Sequence, residues 1–491
     1  MGSLGESARG EAVMVSEVRG HLRRNAERAP DAVAVRSAHG GREESVTWPE
    51  LGELADKVAA GVAGRRFRGP VTVVVDNSVA SVATVLGFAL AAADVALVER
   101  ESSYLLDEDS VLRRVGSGRV VCPPEAVEPL SARGYTCLSF AELADGAGLD
   151  GLDGTVSSGR VRDAEVLQMT SGSSGRPKAA RQTVRNVLRG GELYRDAHRV
   201  TAADTIVAPM SLSHSFPLVG GLATALVSGA SLRTMTRFAT GALVESLEEA
   251  TVLLGTPLLF RMLNTVLPRD RARTRLRLSL SSGGPLPPDV AEGAVQRLGA
   301  PVHQVYGSTE TGLIACQYDR EEPWPAGCVG TVADGVEFRV EHEDDGPVVL
   351  WRTGTMFLGY AGTSAGGPRP DGFHRSGDHA EVDERGHVFL TGRKDTFVNV
   401  GGRKVNPERV EQVLAAHPGV VEVCVYGALN DFGEQEVRAA LVLRAGTAAS
   451  DVVASCRERL MPYEVPHRVR EMAALPRTSM GKIDRRGLRS I

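Results

Sequence analysis

A chain of 491 residues is long enough for several hydrophobic cores, so more than one domain is expected. Hydrophobic residues make up 42% and charged residues 24%, the balance of an ordinary soluble globular protein, and a formal net charge of −5 lacks the basic excess of a general nucleic-acid binder. Aromatic residues are only 5% while Ala and Gly are abundant, which points to tight α/β packing and away from a β-sandwich.

The first fifteen residues are mostly polar, without the apolar core of a signal peptide, and Glu6 stands where a myristoylation motif needs Ser or Thr. Ser16 to Glu27 then reads as an amphipathic helix with Ser16 as its cap, followed by an apolar strand at Ala32 to Val35. Thr47-Trp48-Pro49-Glu50-Leu51 opens another helix. Pro70 to Val75 is a β-branched run, and Asp76, Asn77 and Ser78 are suited to cap the helix after it. The longest apolar stretch, Ser81 to Val98, is interrupted by Asp94; it predicts a helix running into a strand, with no membrane span. Asp145 to Arg160 is rich in Gly, Asp and Ser and reads as an exposed connection.

The stretch from Met169 to Ala180 concentrates chemistry. Gly172 and Gly175 free the backbone to turn tightly, so that its N–H groups can converge on one oxyanion. Thr170, Ser171, Ser173 and Ser174 add hydroxyl donors, and Lys178 adds a full positive charge. A Walker A loop needs G-x-x-x-x-G-K-[ST], whereas the spacing here is G-x-x-G-x-x-K. Taken alone, the stretch reads equally as a polyphosphate grip or as a polar surface loop.

Further along, Thr205 to Met210 is a short buried strand that leads into Ser211-Leu212-Ser213-His214-Ser215-Phe216-Pro217-Leu218, then Gly220-Gly221 and a helix. Leu276 to Gly284 is a strand ending in Gly283-Gly284-Pro285, bare backbone against which a flat ring can lie. Val302 to Gly312 carries Tyr306-Gly307-Ser308-Thr309-Glu310, and Asp371 to Asp378 reads D-G-F-H-R-S-G-D. Arg393 and Asp395 follow a strand at Val388 to Leu390. Beyond them lies a smaller α/β module, with helices at Glu411 to Ala416 and Ser450 to Leu460 and strands at Gly419 to Tyr426 and Ala439 to Leu443. The tail from Leu475 to Arg485 contains Gly481-Lys482. Cys122, Cys137, Cys316, Cys328, Cys424 and Cys456 are scattered without C-x-x-C or zinc spacing, so free thiols and a reducing cytoplasm are expected.

Taken together, these motifs resemble those of the adenylate-forming superfamily: acyl- and aryl-CoA synthetases, adenylation domains, luciferases and stand-alone relatives such as amide bond synthetases. Thr170 to Lys178 match the family's [ST]-S-G-[ST]-[ST]-G-x-P-K throughout, with Ala179 in place of the usual Gly. Tyr306 to Glu310 match Y-G-x-T-E, Gly372 to Asp378 match G-W/F-x-x-T/S-G-D, Leu358-Gly359-Tyr360 is a degenerate G-Y motif, and Leu475 to Arg485 match the final L-P-x-T-x-x-G-K-I-x-R. The resemblance spans roughly residues 45 to 490 and implies an α/β fold of two parts, a large ATP- and acid-binding domain over residues 1–393 and a small mobile domain over residues 394–491.

The resemblance also implies roles. Thr170 to Gly175 would hold the ATP phosphates with Lys178. Gly283, Gly284, Pro285, Tyr306, Gly307 and Ser308 would surround the nucleotide, with Tyr306 on adenine. Thr309 would bond the α-phosphate, and Glu310 would hold Mg²⁺. Asp378 would take the ribose hydroxyls and Arg393 the ribose or phosphate. Asp395 would be the hinge, the Val400-Gly401-Gly402 loop would line the thiol's path, and Lys482 would be the catalytic lysine. His214, Phe216, Leu218, Gly220 and Gly284 would line the acid pocket. Amino-acid-activating relatives carry an Asp shortly after the aromatic there; Pro217 follows Phe216 and no carboxylate is near in the chain, which implies an acid without an α-amino group at that place. The expected reaction is ATP-dependent formation of an acyl-AMP and its transfer to CoA. A carrier-protein thiol, an amine, or nitrite-dependent diazotisation of an aryl amine are the alternatives.

Overall fold

The computed structural model describes residues 17–39, 42–100, 102, 105, 110–145, 163–170, 178–269, 274–318, 324–343, 346–363, 366–393, 398–400, 403–430, 435–457, 459–460, 462–478 and 481–489. The chain forms a large N-terminal α/β part and a smaller C-terminal one. By contact density it divides into one unit of residues 1–321, 333–336 and 352–374 and a second of residues 322–332, 337–351 and 375–491. The second unit therefore contains Asp378 and Arg393.

Two sheets organise the first unit. One has the spatial order Thr136–Ser139, Arg119–Cys122, Val71–Val75, Val95–Glu99, Glu165–Thr170 and Lys178–Thr183. Its first five strands are parallel and the last is antiparallel. Parallel strands are covered on both faces, which is why Val71 to Val75 is buried at every position. The other sheet runs Gly312–Cys316, Val302–Ser308, Leu278–Ser281, Val252–Gly255, Thr205–Ala208, Ser231–Met235, Val33–His39 and Arg42–Thr47, parallel except at its two ends.

The apolar run Ser81 to Val98 divides as its composition predicts, into the helix Val79–Leu90 and the strand Val95–Glu99. Ser78 is the cap, accepting from Ser81 N, while Asp76 Oδ1 accepts from the Ser78 amide and hydroxyl. Asn77 has φ +62 and does different work. Its side-chain amide donates to Met210 O and Met235 O, and its Oδ1 accepts from Leu212 N. It thereby ties the strand end to the His214 loop. Trp48–Arg65 starts with a capping box between Thr47 and Glu50 and Pro at its first turn. Residues 17–28 are helical, and the expected cap Ser16 lies outside the described residues, as does nearly all of the 145–160 connection.

One expectation needs correcting. Gly220 and Gly221 do not precede a helix; they lie inside one, the π-helical turn Pro217–Ala223 that runs on into Thr224–Ser228. That turn packs against Val184–His198 at glycines of the latter helix. A Cβ on Gly191 would stand 2.6 Å from Ala223 C, and one on Gly190 2.5 Å from Val219 Cγ1. The helices can approach this closely only through glycines.

In the second unit, the spatial order is Glu337–Glu343, Gly346–Arg352, His374–Val382, His387–Arg393 and Cys328–Val332. A three-stranded sheet follows, Val420–Leu429 antiparallel to Gln435–Leu443, which is parallel to Arg468–Glu471. The helices Pro407–Ala415 and Ala449–Cys456 pack on its apolar core of Val410, Leu414, Val425, Val437, Leu441 and Val452. All six cysteines are free, five of them buried, and burial raises the thiols of Cys122 and Cys424 to about 12 and that of Cys316 to about 11.

Candidate active site

Thr170 and Lys178, the shoulders of the expected phosphate grip, are Cα partners across two antiparallel strands. A bidentate pair from Arg181 to the buried Glu165, at 2.7 Å on each oxygen, staples those strands. Ser171, Gly172, Ser173, Ser174 and Gly175 lie outside the described residues. The departure at Ala179 has a plain explanation: it is an extended strand residue, 0% exposed, and its methyl group belongs to the core.

The Y-G-S-T-E motif closes the strand Val302–Ser308 and turns into Gly312–Cys316. Tyr306 is 8% exposed on that strand. At Gly307 the ladder slips register, and a Cβ there would stand 2.1 Å from Gly312 O, so the turn demands glycine. Ser308 Oγ accepts from the amides of Glu310 and Thr311. Thr309 is held from outside the motif. Gln182 Nε2 donates to Thr309 O at 2.6 Å, and Asn186 Nδ2 donates to Gln182 Oε1 at 3.3 Å and to Met356 O at 2.7 Å. Neither Gln182 nor Asn186 carries a motif signature, and sequence reasoning missed both.

Tyr360 joins the two motifs. Its hydroxyl donates to Glu310 Oε1 at 2.8 Å, and Lys178 Nζ lies 4.7 Å from its ring centroid. Burial and the Glu310 charge both raise the phenol above its ordinary range, which keeps it a donor. Beside it, Phe357 packs edge-on to Tyr360 and to His374, whose imidazole burial holds below its usual value. One Glu310 oxygen is thus engaged by Tyr360. Among the described residues no three His, Cys, Asp or Glu side chains gather at one point. This donor set fits a hard cation such as Mg²⁺ shared with phosphate oxygens, and not an all-protein cage.

Gly283 takes φ +90 just past the end of Leu278–Ser281, and among the described residues a Cβ on Gly284 would meet only Pro257 Cγ at 4.0 Å. Gly284 and the Pro285 that follows it are exposed. Phe216 and Gly220 sit together against Tyr194: the Phe216 and Tyr194 centroids are 6.2 Å apart, and a Cβ on Gly220 would stand 3.2 Å from Tyr194 Cε1. His214 precedes them in the same loop, its carbonyl accepting from Leu218 N at 3.0 Å. Leu218 is 2% exposed within the main apolar core. The absence of a carboxylate near Phe216 holds along the chain only. In space, Glu99 Oε2 stands 3.5 Å from His214 Nε2, because Glu99 ends a parallel strand where the His214 loop passes.

In the second unit, Asp378 and Arg393 are Cα partners across an antiparallel pair. Asp395, Gly401 and Gly402 lie outside the described residues. Lys482 is exposed on a tight turn in which Thr478 N donates to Lys482 O at 2.7 Å and Gly481 takes φ +72. Two ion pairs anchor that turn: Arg477 donates to Glu422 at 2.6 Å and to Gly481 O at 2.9 Å, and Arg485 to Glu411 at 2.7 Å. No helix among the described residues is long and apolar enough to cross a membrane.

The chain is similar to known proteins along most of its length. Residues 22–366 match the family model described as AMP-binding enzyme, and residues 409–482 match the AMP-binding enzyme C-terminal domain. The medium-chain fatty-acid–CoA ligase of Escherichia coli (strain K12) is 30% identical over 341 residues, covering 65% of this chain and 60% of that protein, less than two thirds of its length. The 2-succinylbenzoate–CoA ligase of Bacillus cereus (strain Q1) is 26% identical over 482 residues, 94% of this chain and 96% of that one. ATP-bound MatB from Rhodopseudomonas palustris has the same fold, with a TM-score of 0.82 at 24% identity over 96% of this chain and 98% of the other. The chain belongs to the AMP-binding enzyme family of adenylate-forming enzymes.

Proposed function

We propose that this chain is an AMP-forming acid–CoA ligase: it joins a carboxylic acid to AMP at the expense of ATP, then passes the acyl group to CoA. The observation that carries the first step is the convergence of Lys178 and Glu310 on Tyr360. A cation and a metal-holding carboxylate, brought to one point beside Thr309, are what a triphosphate under attack by a carboxylate requires.

Two anions must meet at the α-phosphate, so the residues have to offset charge. Lys178, the hydroxyls and amides from Thr170 to Gly175, and Thr309 would bind the phosphate oxygens. Glu310 would hold Mg²⁺, which supplies further charge neutralisation when bound. Lys482 would neutralise the carboxylate and α-phosphate as they approach. Adenine would lie against Gly283, Gly284 and Pro285 and beside Tyr306, Gly307 and Ser308, with the ribose on Asp378 and Arg393. The reading includes residues 1–393 and 394–491 as the ATP-binding and lysine-bearing domains, with Asp395 as the hinge between them.

The acid would enter beside His214, Phe216, Gly220 and Gly284, with Leu218 behind. Aromatic and glycine surfaces there favour an aryl or otherwise apolar acid. CoA as acceptor is supported by the names of the relatives, which are CoA ligases. The test is a mass-spectrometric product screen with ATP, a panel of carboxylic acids, and CoA, an amine or nitrite in turn. An acyl-CoA and AMP from aryl or medium-chain acids are expected. Products only with amine or nitrite would move the chain to one of the alternatives, and preference for a proteinogenic amino acid would overturn the acid assignment.

A further inference from the structure

Tyr360 is held with little freedom. Phe357 N donates to Glu310 O at 2.8 Å, so the segment starts fixed to the metal motif. It then runs along the strand that begins at Lys178: Leu358 N donates to Arg181 O at 2.8 Å, Arg181 N to Gly359 O at 3.0 Å, and Ala361 N to Ala179 O at 2.9 Å. The Tyr360 ring is packed edge-on to Phe357, centroids 5.1 Å apart, and Phe357 is 2% exposed. A side chain this constrained, carrying one hydroxyl 2.8 Å from Glu310 Oε1, fixes a carboxylate that would otherwise turn about three bonds.

We propose that Tyr360 is a positioning residue that orients the Glu310 carboxylate for the divalent cation accompanying ATP. The proposal rests on the reading of Glu310 as the metal-holding residue. Tyr360 engages one oxygen and so presents Oε2 to the cation, while its ring face keeps Lys178 within reach of the same phosphates. The phosphate grip and the metal site are thereby set at a defined separation by one side chain that contacts both.

The experiment measures Mn²⁺ binding to the full chain in complex with a non-hydrolysable ATP analogue, by the electron paramagnetic resonance signal of free Mn²⁺. Tyr360→Phe keeps the ring, the Phe357 contact and the Lys178 face, and removes only the hydroxyl. Its Mn²⁺ affinity is expected to fall by about 10- to 100-fold, the range for losing a partner that orients a metal ligand. Metal-free analogue binding should stay at the wild-type level. In turnover, raising Mg²⁺ should return Tyr360→Phe to near wild-type maximal rate, a rescue that damaged folding would not show. Glu310→Gln serves as the reference. If it binds Mn²⁺ like the wild type, Glu310 is not the metal ligand and the reading beneath the proposal falls. If Glu310→Gln loses Mn²⁺ while Tyr360→Phe keeps wild-type affinity, the role of Tyr360 alone is overturned.

Discussion

Gly284→Ala separates a glycine kept for a ligand from one kept for the fold. Among the described residues a Cβ at position 284 would meet only Pro257 Cγ at 4.0 Å, ordinary contact, and the residue is not among those with positive φ. Folding should therefore gain about 0.4–1 kcal/mol from the smaller entropy of the unfolded chain. The new methyl group would stand where a flat ring is expected to lie. Loss of base stacking on the order of 1–3 kcal/mol corresponds to ATP affinity weaker by about 5- to 150-fold. Gly307→Ala is the contrast. Its Cβ would fall 2.1 Å from the Gly312 carbonyl oxygen, and because backbone cannot step aside as a flexible side chain can, the strand pair must open at a cost of roughly 1–3 kcal/mol or more. Melting curves and calorimetric ATP titrations on both variants decide the matter. Gly284→Ala should melt no lower than the wild type and bind ATP poorly. Wild-type ATP affinity in Gly284→Ala, or a melting loss like that of Gly307→Ala, would refute the reasoning.

Other predictions address separate parts of the chain. Lys482→Ala should lose acid-dependent pyrophosphate formation by about 10²–10³-fold, as for removal of one group stabilising developing charge, yet still turn a presynthesised acyl-adenylate into thioester; equal loss in both steps would give the lysine a second role. Asp378→Ala should weaken ATP binding by about 1.5–3 kcal/mol, the range for hydrogen bonds to a charged group, and unchanged calorimetric affinity would remove Asp378 from the site. His198 is buried against Tyr194 and Tyr318, and burial, followed by the neighbouring His303 and Arg277, lowers its imidazole from 6.5 to about 3. The unfolded chain then takes up the proton first, so stability is intact above about pH 6.5 and is lost as pH falls toward 3. His198→Phe should flatten that part of the urea-midpoint profile, and an unchanged acid limb would show that other groups carry it.

What the sequence alone determined is local and chemical. Spacing within a few residues was enough to read the helix-to-strand run from Ser81 to Val98, the opening of the helix at Trp48, and the order of the motifs carrying Lys178, Glu310, Asp378 and Lys482. Each depends on the residues beside it: a cap within three positions, an apolar period, a glycine where a turn is tight. The tertiary structure decided what lies between the motifs. Tyr360 and Glu310 are 50 residues apart, and Gln182 and Thr309 are 127 apart. Neither pair has a spacing signal: Tyr360 meets Glu310 because the segment after Met356 runs back along the strand that leaves Lys178, and Gln182 reaches Thr309 from that same strand. Glu99 beside His214 and the glycines within the π-helical turn are of the same kind. They follow from which strand end of one sheet meets a loop of the other and how closely two helices approach, which are properties of the packed chain and not of its local pattern.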